Sequence, residues 1–108
     1  MEHMRATEKL IAIALLNAIL AAGYTVSVND GEEWTVKQSR DFDTIAAALA
    51  TTGYDTLKLR KSPTDMSCVG SIVLIYGNDC DLLSDWSDNP AIETLVAPIN
   101  DYADTLRT

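Results

Sequence analysis

Residues 24–37 read YTVSVNDGEEWTVK, and this stretch decides the fold class because its hydrophobic period differs from that of the residues before it. Val26 and Val28 alternate with polar residues, as in a β-strand with one buried face. Asp30-Gly31 is a hairpin turn signal, and a second strand pattern begins at Trp34. The stretch therefore predicts two antiparallel strands joined by a tight turn.

The residues before this hairpin form an apolar run. Residues 10–22, LIAIALLNAILAA, predict a helix with Thr7 as its N-cap. Apolar residues occur on both sides of this helix, so we expect both sides to be covered. One side would pack on the sheet, and the other would meet another helix or another subunit. We predict a homodimer through the row Ile11, Leu15 and Ile19. The run is shorter than the roughly 18 apolar residues of a membrane span, which favours a buried helix over a signal or membrane segment.

The chain after the hairpin alternates between helical and strand patterns. Capping side chains at residues 39–43 precede a short helix that should end at Gly53, and residues 54–60 alternate again. Residues 68–76, CVGSIVLIY, are almost continuously apolar and β-branched, which predicts a central strand covered on both faces. Residues 82–86 predict a final edge strand.

The last helix has a strong start signal. Asn89 is its predicted N-cap and Pro90 its first residue, while Pro98 should kink or split it. The element order is then α-β-β-α-β-β-β-α. We predict a single α+β domain over residues 4–108, with a mainly antiparallel sheet and helices packed chiefly on one face. Residues 1–3 resemble an expression scar and should lie outside the domain.

Charge is distributed unevenly along the chain. The 108 residues carry a formal net charge of −8, and no lysine or arginine occurs between Lys61 and Arg107. Nearly all of the excess negative charge therefore lies in the C-terminal half. Such one-sided charge sets a local potential that favours an interaction with a protein partner. The candidate acidic interaction surface consists of Asp79, Asp81, Asp85, Asp88, Glu93, Asp101 and Asp104.

The two cysteines, Cys68 and Cys80, lie at either end of the predicted apolar strand. A continuous strand rises roughly 3.3 Å per residue and would hold them about 40 Å apart. A disulfide requires alpha carbons within about 7 Å. We therefore expect both thiols to be free, which is typical of a reducing compartment and predicts a cytoplasmic protein.

No complete catalytic, nucleotide-binding or metal-binding motif accompanies the acidic charge. Asp79, Asp81 and Asp85 could offer oxygens to a divalent cation, but the third ligand and the glycine of an EF-hand loop are missing. The serines and cysteines lack a histidine base, because the one histidine is His3. We predict no catalytic residue, no cofactor and no resident metal. A small metal-dependent enzyme stays as the least favoured alternative.

The acidic half also suggests a second function. Carboxylates displayed at phosphate-like intervals can occupy the positive groove of a DNA-handling or defence protein, so an inhibitor that mimics nucleic acid is the main alternative. Direct binding of nucleic acid is disfavoured, because single-strand binders combine aromatic platforms with positive grooves. The basic residues that could serve such binding are Lys37, Arg40, Lys58, Arg60 and Lys61.

Two segments of the C-terminal half carry a family resemblance. Residues 76–79 (YGND) and 83–89 (LSDWSDN), followed by an amphipathic helix through Tyr102, resemble small uncharacterised proteins encoded by bacteriophages and prophages. In those proteins a hairpin similar to residues 30–36 (DGEEWTV) precedes the second helix. The resemblance implies a phage accessory protein and brings no catalytic residues. The expected function is a noncatalytic protein-interaction module that acts through its acidic C-terminal half.

Overall fold

The computed structural model describes residues 4–65, 67–77 and 80–107. In chain order, the elements are α1 (Ala6–Ala21), β1 (Thr25–Asn29), β2 (Trp34–Ser39), α2 (Phe42–Ala48), β3 (Tyr54–Arg60), β4 (Cys68–Ile75), β5 (Leu83–Trp86) and α3 (Pro90–Thr105). This order is the one that the sequence predicts. The α+β class, the antiparallel sheet and the packing of the helices on one side are also confirmed.

The five strands form one sheet with the order β2-β1-β3-β4-β5, and every neighbouring pair is antiparallel. The prediction that residues 68–76 form a central strand covered on both faces is wrong, because β3 is central and β4 is fourth. Val73 and Ile75 of β4 are only half-buried, on the face that lacks helices. β-branched residues suit an open sheet face as well as a covered one, so the apolar run did not distinguish the two cases.

The core lies between the three helices and the inner face of the sheet. Leu57 and Leu59 of β3 stand directly beside Val28 and Val26 of β1, and all four side chains are fully buried. Burying a valine or leucine side chain stabilises the fold by about 1.5–3 kcal/mol. These alternating residues therefore form the apolar layer on which the helices pack.

Helix α1 buries the row of residues that the sequence assigned to a dimer. Ile11, Leu15 and Ile19 have no exposed surface, so they belong to the core of the monomer and cannot contact a second subunit. That assignment is wrong. The large apolar side chains that α1 leaves exposed are Leu10, at 47 %, and Ile13, at 36 %. Both sides of this helix are apolar, and the packing of α1 against α3 and α2 decides which side is covered.

This burial pattern predicts a contrast between two leucines of α1. Leu15→Ala should lower the free energy of unfolding by about 2–5 kcal/mol, because it leaves a cavity in the core. Leu10→Ala should change it by less than about 0.5 kcal/mol, because Leu10 is a surface residue. Urea denaturation followed by circular dichroism measures both. Equal losses would contradict the burial of Leu15 in the core and the exposure of Leu10.

The helix ends agree only partly with the sequence pattern. The N-cap of α1 is Arg5, whose N–H donates to the Glu8 carboxylate at 2.9 Å, so the prediction of Thr7 is wrong. Asn89 is confirmed as the N-cap of α3, and its side chain accepts from the N–H of Ile92 at 3.0 Å. Helix α3 continues through Pro98 and is not split there.

Two further predictions concern thiols and membranes. Cys68 and Cys80 are both free thiols, as expected from their separation along the chain. Within residues 4–65, 67–77 and 80–107, no helix is long and apolar enough to cross a membrane.

Candidate functional site

The exposed side of α3 carries three of the predicted acidic residues. Glu93, Asp101 and Asp104 are all exposed, whereas the opposite side of the helix is buried in the core. At 3.6 residues per turn, these three positions fall within about 80° of one another around the helix axis. They therefore form one acidic stripe along α3.

Residues just before the start of α3 adjoin this stripe. The indole Nε1 of Trp86, the last residue of β5, donates to Oε1 of Glu93 at 3.2 Å and so joins the strand to the first turn of α3. Asp88 is exposed just before the N-cap of α3. Asp85 is also exposed, but it pairs with Val73 and therefore lies on the face of the sheet that lacks helices, away from α3. We call the exposed carboxylates on α3 and beside its ends the acidic ridge: Asp81, Asp88, Glu93, Asp101 and Asp104.

Arg107 partly neutralises the other end of the acidic ridge. Its Nε donates to Oδ1 of Asp104 at 3.0 Å, and its Nη2 donates to Oδ1 of Asp81. Hydrogen bonds that the guanidinium donates, chiefly to Asp81 and also to Asp104, raise the pKa of Arg107. Exposed ion pairs of this kind stabilise a fold very little, so their main effect is on local charge. This end of the ridge carries a net charge of −1 instead of −2.

The residues of the predicted divalent-cation site, Asp79, Asp81 and Asp85, have different surroundings. Asp79 lies outside the described residues, and Asp81 is bound to Arg107. In the part of the chain that the structure describes, no three histidine, cysteine or acidic side chains are grouped closely enough to hold a metal ion.

The outer face of the sheet, opposite the helices, has a shallow trough of about 150 Å³. Its lining consists of Ser27, Trp34, Lys37, Gln38, Lys58 and Arg60. The trough follows β1, because Ser27 is a short residue between the long side chains of β2 and β3. Ser27 pairs directly with Lys58 on β3. Strands lie about 4.8 Å apart, so the cations of β2 and β3 flank the floor at a separation of about 10 Å.

The bend of β2 shapes one wall of this trough. Gln38 has a positive φ of 50° at an irregularity in the pairing of β1 with β2. Its N–H donates to Oγ of Ser27 at 2.9 Å instead of to a strand carbonyl. The floor hydroxyl is therefore held in place by the neighbouring strand, and its own hydrogen is left to donate.

The trough and the acidic ridge have opposite charges. Lys37, Lys58 and Arg60 line the trough, and its lining includes no carboxylate. Trp34 is 42 % exposed at the same place, so an aromatic face adjoins the cations. The net charge of −8 therefore conceals a positive surface on the side of the sheet without helices.

Two buried carboxylates form a third polar region, inside the fold. Glu8 is fully buried, and its Oε2 accepts from the N–H of Gly77 at 2.7 Å. Asp55 is also fully buried, and its Oδ2 accepts from the N–H of Ala50 at 2.9 Å and from the hydroxyl of Tyr76 at 2.5 Å. These bonds hold the loops at one end of the sheet against α1 and β3, which is a structural role.

The environment of Asp55 disfavours its ionised form. Burial raises its pKa above the usual range, and this effect exceeds the opposing effect of the hydrogen bonds from Tyr76 and Ala50. Ala50 has a positive φ of 63°, and its bond to Asp55 holds this conformation. Helix α2 ends at Ala48, two residues before this turn, so the predicted helix end at Gly53 is wrong.

The structure therefore brings part of the predicted acidic surface together. It also forms the basic trough, which the sequence did not predict. The ridge brings together five of the seven predicted acids. Asp85 lies on the opposite face of the sheet, and Asp79 lies outside the described residues. Trp34 and Lys58 are both evident in the sequence, but the net negative charge of the chain gave no indication that they lie on the same face of the sheet. The available signal was the alternation of Leu57 and Leu59 with Lys58 and Arg60, which assigns both cations to one side of β3.

Comparisons with known proteins give no family assignment. No protein-family model matches the chain, and no curated protein or solved structure matches it. Function is therefore inferred from the geometry and charge of this chain.

Proposed function

We propose that this protein is a noncatalytic interaction module that binds a protein partner through the acidic ridge. The observation that carries the proposal is the alignment of Glu93, Asp101 and Asp104 on one exposed side of α3, with Asp88 exposed just before its N-cap. Exposed carboxylates on a regular helix form a fixed pattern of charge. Such a pattern steers a basic partner and fixes its orientation.

The separation of charge on the molecule supports this proposal. Lys37, Lys58 and Arg60 lie on the outer face of the sheet, away from α3, and do not cancel the field of the ridge at close range. The screening length is about 8 Å at physiological ionic strength, so charges across the sheet are largely screened from one another. A partner that approaches α3 meets mostly negative charge.

An inhibitor that mimics nucleic acid is the second candidate. In its favour, the acidic ridge is elongated, since the sixteen residues of α3 span about 24 Å. Against it, Arg107 neutralises one carboxylate at the end of the ridge, and Glu93 and Asp101 are separated by two helical turns. A duplex carries one charge per about 1.7 Å of its axis. The ridge is sparser than that, so the general interaction module is favoured.

The proposed cellular setting follows from the free thiols and the sequence resemblance. We infer a reducing compartment, the cytoplasm, for a protein with two unpaired cysteines. We also propose an accessory role in a phage or prophage. Genes for structural or replication proteins of a phage beside this gene would support that origin, and an unrelated set of neighbours would contradict it.

The proposed function is tested with a neutralised acidic ridge. Partners are captured from a lysate of the native host, and their affinities are then measured with purified proteins. The variant Asp88→Asn/Asp101→Asn/Asp104→Asn should bind a ridge partner at least tenfold more weakly. It removes three exposed charges but leaves the Trp86–Glu93 hydrogen bond in place.

The matched control removes the same charge elsewhere. Glu32→Gln/Glu33→Gln/Asp43→Asn also neutralises three exposed acids, on the β1–β2 turn and on α2. This variant should bind within about twofold of the wild type. Equal losses in the two variants would contradict the ridge and indicate a dependence on total charge alone. A partner whose affinity falls steeply with salt and that also binds DNA would favour the mimic.

A further inference from the structure

We propose that the trough on the outer face of the sheet binds single-stranded nucleic acid. The proposal goes beyond the acidic ridge and does not depend on it. The sequence-based expectation was that direct binding of nucleic acid is disfavoured, because the net charge of the chain is −8. The proposal departs from that expectation. The fold instead collects Lys37, Lys58 and Arg60 in one place, with an exposed tryptophan beside them.

The walls and floor of the trough suit a phosphate backbone. Lys37 stands on the β2 side of β1, and Lys58 and Arg60 stand on the β3 side. A phosphate chain that lies along β1 would have cations on both sides of it. The hydroxyl of Ser27 accepts from Gln38 and can donate its own hydrogen to a phosphate oxygen.

The aromatic residues decide between a nucleic acid and other anions. Trp34 is 42 % exposed beside the trough, and Tyr54 is 45 % exposed at the same end of the sheet. Binders of single strands combine a positive groove with such rings, on which unpaired bases stack. An acidic peptide would use the cations but offers a planar ring to Trp34 only where it carries an aromatic residue, whereas every nucleotide carries a base. Exposed tryptophan next to lysine therefore favours a nucleotide chain.

The shape of the trough indicates a polymer that lies along β1. Sites for small molecules bury most of the surface of their ligand. This trough is shallow and open, so a free nucleotide would stay largely in solvent. A single strand can instead extend along β1 beyond the trough, towards the exposed Tyr54 at the Trp34 end of the sheet. The bases of a duplex are stacked on each other, so they cannot lie on Trp34.

The test uses the full chain and a fluorescein-labelled oligothymidylate of twelve nucleotides, with affinity measured by fluorescence anisotropy at several salt concentrations. Three phosphate contacts predict that the logarithm of the affinity falls with the logarithm of salt at a slope of about −2. Lys37→Gln/Lys58→Gln should lose at least tenfold in affinity, and its slope should be about −0.7, because one cation remains. Far-UV circular dichroism checks that the variant is folded.

A matched pair of lysines controls for the change in total charge. Lys9→Gln/Lys61→Gln removes the same two charges from α1 and from the residue after β3, and neither position lines the trough. This variant should bind within about twofold of the wild type. Equal losses in the two double variants would overturn the proposal, and so would the absence of any binding by the wild-type chain at low salt.

The role of Trp34 separates stacking from simple attraction of charge. Trp34→Ala should weaken binding of the oligothymidylate at least fivefold, while Trp34→Phe, which keeps a ring, should lose less than threefold. A duplex of twelve base pairs should bind at least tenfold more weakly than the single strand. Equal binding of the duplex, or of an oligoglutamate of the same charge, would overturn the assignment to single-stranded nucleic acid.

Discussion

Gly70→Ala should destabilise this protein more than any other single-methyl addition considered, by about 2–6 kcal/mol. Gly70 lies in β4 with a φ of +156°, where side chains are rarely found. A Cβ atom there would be 2.6 Å from Cγ1 of Ile92 and 3.0 Å from Cβ of Ser87. Ile92 is fully buried at the start of α3 and has little room to move. The variant should separate α3 from the sheet, and urea denaturation measures the loss.

Two other glycines distinguish the two causes of this loss of stability, the steric clash and the backbone strain. Gly77 has a positive φ of 101° but open space around its position, so Gly77→Ala should cost about 1 kcal/mol from the backbone alone. Gly53 has neither feature, and Gly53→Ala should be neutral or slightly stabilising. If Gly70→Ala lost no more stability than Gly77→Ala, the close packing of α3 against β4 would be contradicted.

Asp55→Ala should lower the free energy of unfolding by about 2–4 kcal/mol at neutral pH. The substitution removes the acceptor of two donors, the N–H of Ala50 and the hydroxyl of Tyr76. Both would then be left unsatisfied inside the fold, which costs about 1–3 kcal/mol for each. Burial and the neighbouring carboxylate raise the pKa of Tyr76, so its hydroxyl keeps its proton and needs an acceptor.

Asp55→Asn keeps an acceptor and removes the buried charge, so it should cost less than half as much as Asp55→Ala at pH 7. The difference in stability between the wild type and Asp55→Asn should depend on pH. The pKa of Asp55 is raised in the folded state, and its unfolded value is near 3.9. Folding therefore takes up a proton between these two values, and the stability from this group is lost as pH rises through the folded pKa.

Denaturation midpoints at several pH values test this linkage. The wild type should gain stability relative to Asp55→Asn as the pH falls from 7 towards 4. A constant difference between the two proteins over this range would show that the carboxylate titrates normally and is not buried.

Local signals predicted most of the secondary structure. Asn89-Pro90 fixed the start of α3 because a cap involves only neighbouring residues. Asp30-Gly31 fixed the hairpin in the same way: Oδ1 of Asp30 accepts from the N–H groups of Glu32 and Glu33. The position of β4 in the sheet could not be predicted, because strand order depends on pairings between distant segments.

The same distinction between local signals and long-range contacts applies to the candidate sites. The stripe on α3 was predictable, since three acidic positions on one helix determine their own geometry. The contact of Asp81 with Arg107 joins residues 26 positions apart, and no local pattern reports it. The two rows of α1 were equally apolar, so the sequence left no basis for choosing between Leu10 and Leu15.

The bond between Glu8 and Gly77 also bears on how the polypeptide matures. Glu8 is buried, yet its second carboxylate oxygen receives its hydrogen bond from a residue 69 positions later. During synthesis, helix α1 leaves the ribosome long before that donor exists. The nascent α1 therefore presents an apolar surface, and water takes the place of Gly77 at the second oxygen of Glu8 until most of the sheet has emerged and the helix docks. We expect chaperones of the translating ribosome to bind this segment early and to release it after β4 has emerged.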